Sequence, residues 1–344
     1  MKAAIYSDVE SIGIREVDYL PPAADHVIIN TKCTGVCGSD LHNYFGHWKP
    51  RYEKYAEGHE VAGIISEIGE GVTDFEIGDH VTLECFTHCG KCTYCGEGHY
   101  NHCEQRGWFC KESHGGFAEF TSVHKSSIFK LPGSLSFEHG ALIEPLAVSH
   151  RAVAQSGVGP ADSLAIIGGG TIGQFCLAVA KAVGIADVTI TTKYDHQAEL
   201  AVSLGADHVV DVREGGLRQF AQQTHSPGMD AVIETVGSSS GFDDALASIR
   251  QRGTVVLVGG YHKPLEVNLG PIVGKEPILT GSNCYGYSGL KTDFDAALEL
   301  IVSGKVDASK LVTHRFPLEA ITEAFEIAAD KHSGSVKVQV VQET

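Results

Sequence analysis

Short apolar runs broken by turn residues dominate the opening of the chain. KAAIYS and HVIINTKCTGV read as strands, and Pro21-Pro22 breaks the chain between them. VAGIISEIG, DHVTLEC and GGFAEFTSV keep the same texture, separated by Gly, Asp and Ser, so this region is predicted to be mainly β. From about Ala147 the pattern changes: short apolar strands alternate with longer helical stretches. SLAII leads to helix TIGQFCLAVAKAVG, and DVTITT to helix HQAELAVSLG. HVVD, DAVIETVG and GTVVLVGG follow, with GFDDALASIR as a helix before the last. Such alternation predicts an α/β fold with a doubly wound parallel sheet. After ILTGSN, the helical TDFDAALELIVSG leads into a β-rich tail. The resulting layout is a β-rich domain over 1–146, an inserted α/β domain over 147–285, and a return to the first domain over 286–344.

At 344 residues the chain has room for two such domains, each with its own core. A formal net charge of −17 sets a repulsive field against polyanions, which argues against a nucleic acid or an anionic membrane as partner. Met1–Glu10 lacks the basic start and apolar run of a signal peptide, and no later stretch approaches bilayer-spanning length. The expectation is a cytoplasmic protein that meets small molecules and other subunits.

Four of the ten cysteines crowd into CGKCTYCGEGHYNHC, as Cys89, Cys92, Cys95 and Cys103. Thiolates at this spacing can converge on one ion, and four soft ligands in tetrahedral array suit Zn²⁺. With every position a thiolate, such a zinc has no open site and is structural. An iron–sulfur cluster uses the same ligand type.

A second set of ligand types lies in glycine-flanked turns. GVCGSDLH offers Cys37, YAEGHEVAG offers His59 and Glu60, and ALIEPLAV places Glu144 in an apolar run where a bare carboxylate is costly to bury. Mixed Cys, His and carboxylate donors that leave one position open are what a catalytic zinc requires. Taken singly, each has a plainer reading as a core thiol, a satisfied histidine or a surface acid.

CGSDLH, GHEVAG, the four-cysteine loop and IEPLAV occur in that order and precede a dinucleotide fold. Together they resemble the zinc-dependent medium-chain alcohol dehydrogenases, and the IEPLA wording is most similar to the polyol branch of sorbitol, xylitol and butanediol dehydrogenases. The resemblance extends through HRFPLEAITEAFE to the closing VKVQV. It implies a GroES-like catalytic domain beside a Rossmann domain, and one catalytic and one structural zinc per chain. It places Cys37, His59 and one or both of Glu60 and Glu144 around the catalytic zinc. It also makes Ser39 the hydroxyl that touches substrate oxygen and His42 the group that passes the proton outward, and it implies a homodimer or homotetramer.

SLAII runs into GGGTIG, so Gly168, Gly170 and Gly173 form a G-x-G-x-x-G turn at the mouth of a helix that begins Thr171-Ile172. The glycines allow a tight turn and close approach to a pyrophosphate, and the helix N-terminus supplies amides and positive potential. About twenty residues on, an acid that would bind the ribose 2′-hydroxyl of NAD is expected. That count lands on Thr192, followed by Lys193 and Tyr194. A hydroxyl and a cation suit a 2′-phosphate, which favours NADP. In the competing reading Asp195 moves in to serve the ribose and the cofactor is NAD. Val236 in ETVG and Val258 in VGGY end strands at the sheet edge where cofactors lie.

The predicted function is therefore reversible oxidation of a secondary alcohol, a polyol, sugar or diol, by hydride transfer with NAD(P). A threonine or butanediol dehydrogenase using NAD, a non-catalytic nucleotide-binding protein and a zinc-ribbon nucleic-acid binder are the alternatives. The complete quartet speaks against the second of these, and the acidic balance against the third. Tyr44, Phe45, His47, Trp48, Trp108 and Phe109 are candidates to line a substrate pocket.

Overall fold

The computed structural model describes residues 1–48, 54–111 and 113–342. The chain divides into two compact units, Met1–Glu144 with Ala308–Thr344, and Pro145–Asp307. In chain order the first part supplies β1 (Lys2–Asp8), β2 (Ser11–Glu16), β3 (His26–Gly35), α1 (Gly38–Tyr44), β4 (Glu60–Ile68), β5 (His80–Leu83), β6 (Phe120–His124) and β7 (Ile128–Lys130). The middle supplies α2 (Ile143–Ser156), β8 (Ser163–Ile167), α3 (Thr171–Ala182), β9 (Asp187–Thr192), α4 (Asp195–Ser203), β10 (His208–Asp211), α5 (Gly216–Thr224) and β11 (Met229–Glu234). α6 (Ser239–Ser248), β12 (Ile249–Leu257), β13 (Ile278–Gly281) and α7 (Asp293–Val302) complete it. The tail adds β14 (Val312–Phe316), α8 (Ile321–Ala329) and β15 (Lys337–Val341).

In the first unit, β3 is the spine. It pairs antiparallel with β4, β6 and β15, and the sheet runs β14-β15-β3-β4-β5-β7. The tail thus lies directly beside the strand that ends at Gly35, just before Cys37. Phe325 of α8 anchors this arrangement, with ring centroids 5.9 Å from Tyr6, 5.4 Å from Tyr44 and 5.5 Å from Phe117. Burying such rings contributes roughly 1.5–3 kcal/mol apiece. Because Tyr44 ends α1, this core also fixes the helix that carries Ser39 and His42.

The second unit is a six-stranded, all-parallel sheet in the order β10-β9-β8-β11-β12-β13. Numbered within the unit this is 3-2-1-4-5-6, the doubly wound dinucleotide topology, with its reversal between β8 and β11. Each central strand is apolar on both faces, as helices packed on both sides demand.

The return to the first unit comes at 308 rather than at 286. Asp293, fully buried, accepts from His150 Nδ1 at 2.7 Å, from Ser288 Oγ at 2.6 Å and from the Gly286 amide at 2.8 Å. Arg151 Nη1 lies 3.5 Å from Oδ2, the oxygen that accepts the Gly286 amide. These bonds tie the segment around 286–293 to α2, so α7 belongs with the second unit. No helix among the described residues is long and apolar enough to cross a membrane.

Candidate active site and metal centres

β3 ends at Gly35 opposite Glu60, the first residue of β4. A Cβ at Gly35 would fall 1.8 Å from Glu60 Oε2, so only glycine leaves room for that carboxylate. Gly58, at φ +91° and pressed against the Phe117 ring, turns the chain so that His59 follows directly. Cys37 caps α1, and Asp40 reaches back to accept from the Cys37 amide at 2.9 Å. These three local features bring Cys37, His59 and Glu60 together, with their ligand atoms all within 4.8 Å of one another.

The surroundings of the trio are strongly anionic. Burial pushes the Asp40 carboxyl up to about 6, against the opposing pull of His59 and the Cys37 amide. Asp40 Oδ1 stands 3.7 Å from His59 Nδ1, while the Ser39 hydroxyl stands 3.5 Å from His59 Nε2. Burial opposes charge on His59, yet Asp40 and Cys37 raise its pKa well above the ordinary histidine value. A pocket that so favours positive charge, built from thiolate, imidazole and carboxylate, fits a divalent zinc ion.

Glu60 has a partner of its own. Lys337 Nζ on β15 donates to both carboxylate oxygens at 2.7 Å and to the Val36 carbonyl at 3.1 Å. Burial works against this ammonium, but Glu60 and then Cys37 hold its pKa above the usual lysine value. Glu144 is also buried and its charge acts on both His59 and Lys337, but it stands outside the close trio.

His42 lies in the last turn of α1, its Nδ1 3.1 Å from Nδ1 of His47 and its ring 4.9 Å from that of Trp48. Trp108 places its ring 5.3 Å from His59 and remains partly exposed. Of the aromatic candidates, Tyr44 and Phe109 are buried in packing, whereas Phe45, His47, Trp48 and Trp108 keep accessible surface.

The four-cysteine loop closes on itself. Cys92 Sγ lies 3.6 Å from Cys95 Sγ and 4.0 Å from Cys103 Sγ, and all four sulfurs are within 4.8 Å of one another. A tetrahedron of Zn–S bonds of about 2.3 Å has sulfur–sulfur edges of about 3.8 Å, so the cage has the size of a zinc site. Backbone amides of Lys91 and Cys92 lower the Cys89 thiol to about 6, so it is ready to bind as thiolate. None of the ten cysteines forms a disulfide.

In the second unit the glycine turn has the shape its sequence predicts. Gly168 takes φ +107°, and a Cβ at Gly173 would lie 1.8 Å from the Gly168 carbonyl oxygen, which packs helix against strand. Gly170 caps α3 and faces open space, while Thr171 and Ile172 begin that helix. Thr192 ends β9 beside this turn, its methyl 3.0 Å from where a Gly169 Cβ would be. Lys193 is exposed and holds its ammonium 5.7 Å over the Tyr194 ring. Asp195 does not fold back; Arg213 Nη2 holds it at 3.0 Å and also pairs with Asp211 at 2.6 Å. At the ends of β11 and β12, the buried Glu234 carboxylate accepts from the Val236 and Gly237 amides at 2.9 and 3.0 Å and from Tyr261 Oη at 2.5 Å. The Glu234 backbone carbonyl accepts from the Val258 amide at 2.9 Å. Both valine loops are therefore braced at the edge where β8 and β11 diverge.

Asp40, Lys337, Gly35 and Glu234 were not among the residues singled out from sequence. Asp40 was signalled as an acid three residues after a helix-capping position, and Lys337 as a lysine inside an apolar strand.

The alcohol dehydrogenase GroES-like domain matches residues 23–133, and the zinc-binding dehydrogenase domain matches residues 171–303. Sorbitol dehydrogenase of Bacillus subtilis is 32% identical over 99% of this chain and 97% of its own. The solved 2R,3R-butanediol dehydrogenase of Bacillus subtilis superposes with TM-score 0.86 at 32% identity, covering 99% of both chains. A zinc-binding dehydrogenase from Sinorhizobium meliloti, solved bound to NADP, gives TM-score 0.88 at 28% identity, covering 99% of this chain and 98% of its own. The chain belongs to the zinc-dependent medium-chain alcohol dehydrogenase family, in its polyol branch.

Proposed function

We propose that this protein interconverts a secondary alcohol of the polyol, sugar or diol class with its ketone, and that NADP is its preferred hydride carrier. The observation that carries the reading is the convergence of Cys37, His59 and Glu60 beside Ser39 and His42. Cys37, His59 and one of Glu60 and Glu144 would hold the catalytic zinc, and Cys89, Cys92, Cys95 and Cys103 a structural one. When bound, zinc supplies polarisation of the substrate hydroxyl and the nicotinamide supplies the hydride acceptor. Ser39, whose Oγ lies beside the His59 ring, would relay the hydroxyl proton by accepting it as its own proton leaves toward His42. His42 would then pass a proton outward, with His47 next at 3.1 Å. An imidazole suits both acceptance and release near neutral pH.

The glycine turn with Thr171 and Ile172 would seat the pyrophosphate, and the Val236 and Val258 loops would flank the nicotinamide half. Preference for NADP rests on the exit of β9. Thr192 and Lys193 offer a hydroxyl and a cation, and two nearby acids, Asp195 and Asp211, the latter opposite Thr192 on the neighbouring strand, are both engaged by Arg213. Exposed Val273, Ile278 and Leu279, around the edge strand β13, support a homodimer or homotetramer.

The test is a panel of polyols, diols and hydroxy amino acids assayed with NAD and with NADP, alongside His59→Gln. The expected result is turnover of vicinal secondary alcohols, faster with NADP, that His59→Gln abolishes without loss of secondary structure. Absence of any NAD(P)-linked turnover overturns the reading, and preference for threonine moves it to the amino-alcohol class.

A further inference from the structure

The glycine turn occupies the carboxyl edge of the six-stranded sheet; the opposite edge gathers a different set of ligand side chains. β9 opens on Asp187, β10 opens on His208, and α5 ends at its C-cap, His225. His225 Nε2 lies 2.7 Å from Asp187 Oδ2, and His208 Nε2 lies 3.9 Å from Asp187 Oδ1. One ligand atom from each falls within 4.8 Å of the others.

We propose that Asp187, His208 and His225 form a binding site for a divalent first-row transition metal ion such as Zn²⁺ or Ni²⁺, separate from both centres described above. Two imidazoles and a carboxylate are the donor types such ions take, with water completing the shell.

Thr224 Oγ1 lies 2.7 Å from His225 Nδ1 and from the Phe220 carbonyl oxygen, so the ring is held on its Nδ1 side while Nε2 faces Asp187 Oδ2. That contact leaves half the site unexplained: Asp187 Oδ1 is buried without a hydrogen-bond partner, aimed toward His208. A buried carboxylate oxygen in that state is costly, and a shared ion would satisfy it together with both imidazoles.

Second contacts hold the ligands in place. Phe220 packs on both histidine rings, with centroids 5.1 Å from His208 and 5.4 Å from His225. The His225 ring is further anchored through Nδ1, the arrangement that orients metal-binding histidines. Metal–ligand bonds of about 2.1 Å set neighbouring ligand atoms roughly 3.0–3.4 Å apart. Small rotations of the exposed His208 and of Asp187 meet that requirement. The ion would pin β10, a four-residue strand at the end of the sheet that pairs only with β9. Asp187 and Thr192 are the two ends of β9, about 16 Å apart at strand rise, so the clip acts on the unit's edge and leaves the cofactor end alone.

The test titrates Ni²⁺ into the zinc-loaded full-length protein by calorimetry, comparing wild type with His208→Gln and Asp187→Asn. Wild type is expected to bind one additional equivalent and to gain thermal stability with it. Each variant should bind at least about tenfold more weakly and show no such gain, while dehydrogenase activity stays at the wild-type level. A Ni²⁺ anomalous peak among the three side chains in a soaked crystal is the direct confirmation. Equal Ni²⁺ binding by wild type and His208→Gln, or no additional binding by wild type, overturns the proposal and leaves a plain hydrogen bond between His225 and Asp187.

Discussion

Lys337 forms a fully buried, two-point ion pair with Glu60, itself a candidate catalytic metal ligand, and both side chains are only 1% exposed. Removing one member of such a pair strands the other charge away from water. Lys337→Gln is therefore expected to cost about 3–5 kcal/mol, and the double variant with Glu60→Gln to recover a large part of that loss. Thermal unfolding of the two single variants and the double variant measures the coupling; additive losses would show that the pair acts independently.

Cys92 is one corner of the sulfur cage, and its substitution should act on stability rather than on chemistry. Cys92→Ser is expected to lower zinc content by about one equivalent per chain and to lower the thermal midpoint. Metal analysis beside protease sensitivity of the 89–103 loop checks this; unchanged zinc content would contradict a structural metal there.

The exit of β9 carries a third expectation. Thr192→Asp with Lys193→Ala places a carboxylate where a 2′-phosphate would sit and removes the adjacent cation. The ratio of kcat/KM for NADP over NAD should fall at least about tenfold. A wild type that already prefers NAD would contradict the assignment.

Asp230 contributes a pH dependence to the second unit. Its Oδ2 accepts from Ser163 N and Oγ, each at 2.9 Å, and its Oδ1 from Arg250 Nε at 2.6 Å, tying β8, β11 and β12 together. Burial pushes the carboxyl up, but the Ser163 amide and Arg250 outweigh it and hold its pKa below the usual 3.8. A folded pKa below the unfolded one means the stabilisation is fully present above the unfolded value. It is lost as pH falls through the lower folded value. Asp230→Asn should thus unfold more easily near neutral pH, by about 1–3 kcal/mol, with the gap to wild type narrowing below about pH 4. Thermal scans across that range measure it, and a gap independent of pH would contradict the linkage.

What was legible in the sequence was local. The four cysteines lie within fifteen residues and the glycines within six, so their spacing suggested their chemistry, whereas His59 and Glu60 became candidate ligands only through the ordered set of motifs and the resemblance it carries. Alternating strand and helix patterns likewise revealed the parallel sheet and its order of elements. What escaped was long-range pairing. Lys337 meets Glu60 across 277 positions and Asp293 meets His150 across 143, and no periodicity links such residues. The displaced boundary at 308 follows from the second of these. Arg213 lies 18 residues beyond Asp195, so the disposal of that acid, on which the cofactor reading turns, was equally out of sight.

The seat of β15 beside β3 has a consequence for biogenesis. The second unit is one unbroken stretch, complete on the nascent chain while the first still lacks the strand that bears Lys337. Until that strand arrives, Glu60 lacks its ammonium partner, so this buried ion pair can close only after the whole second unit has left the ribosome.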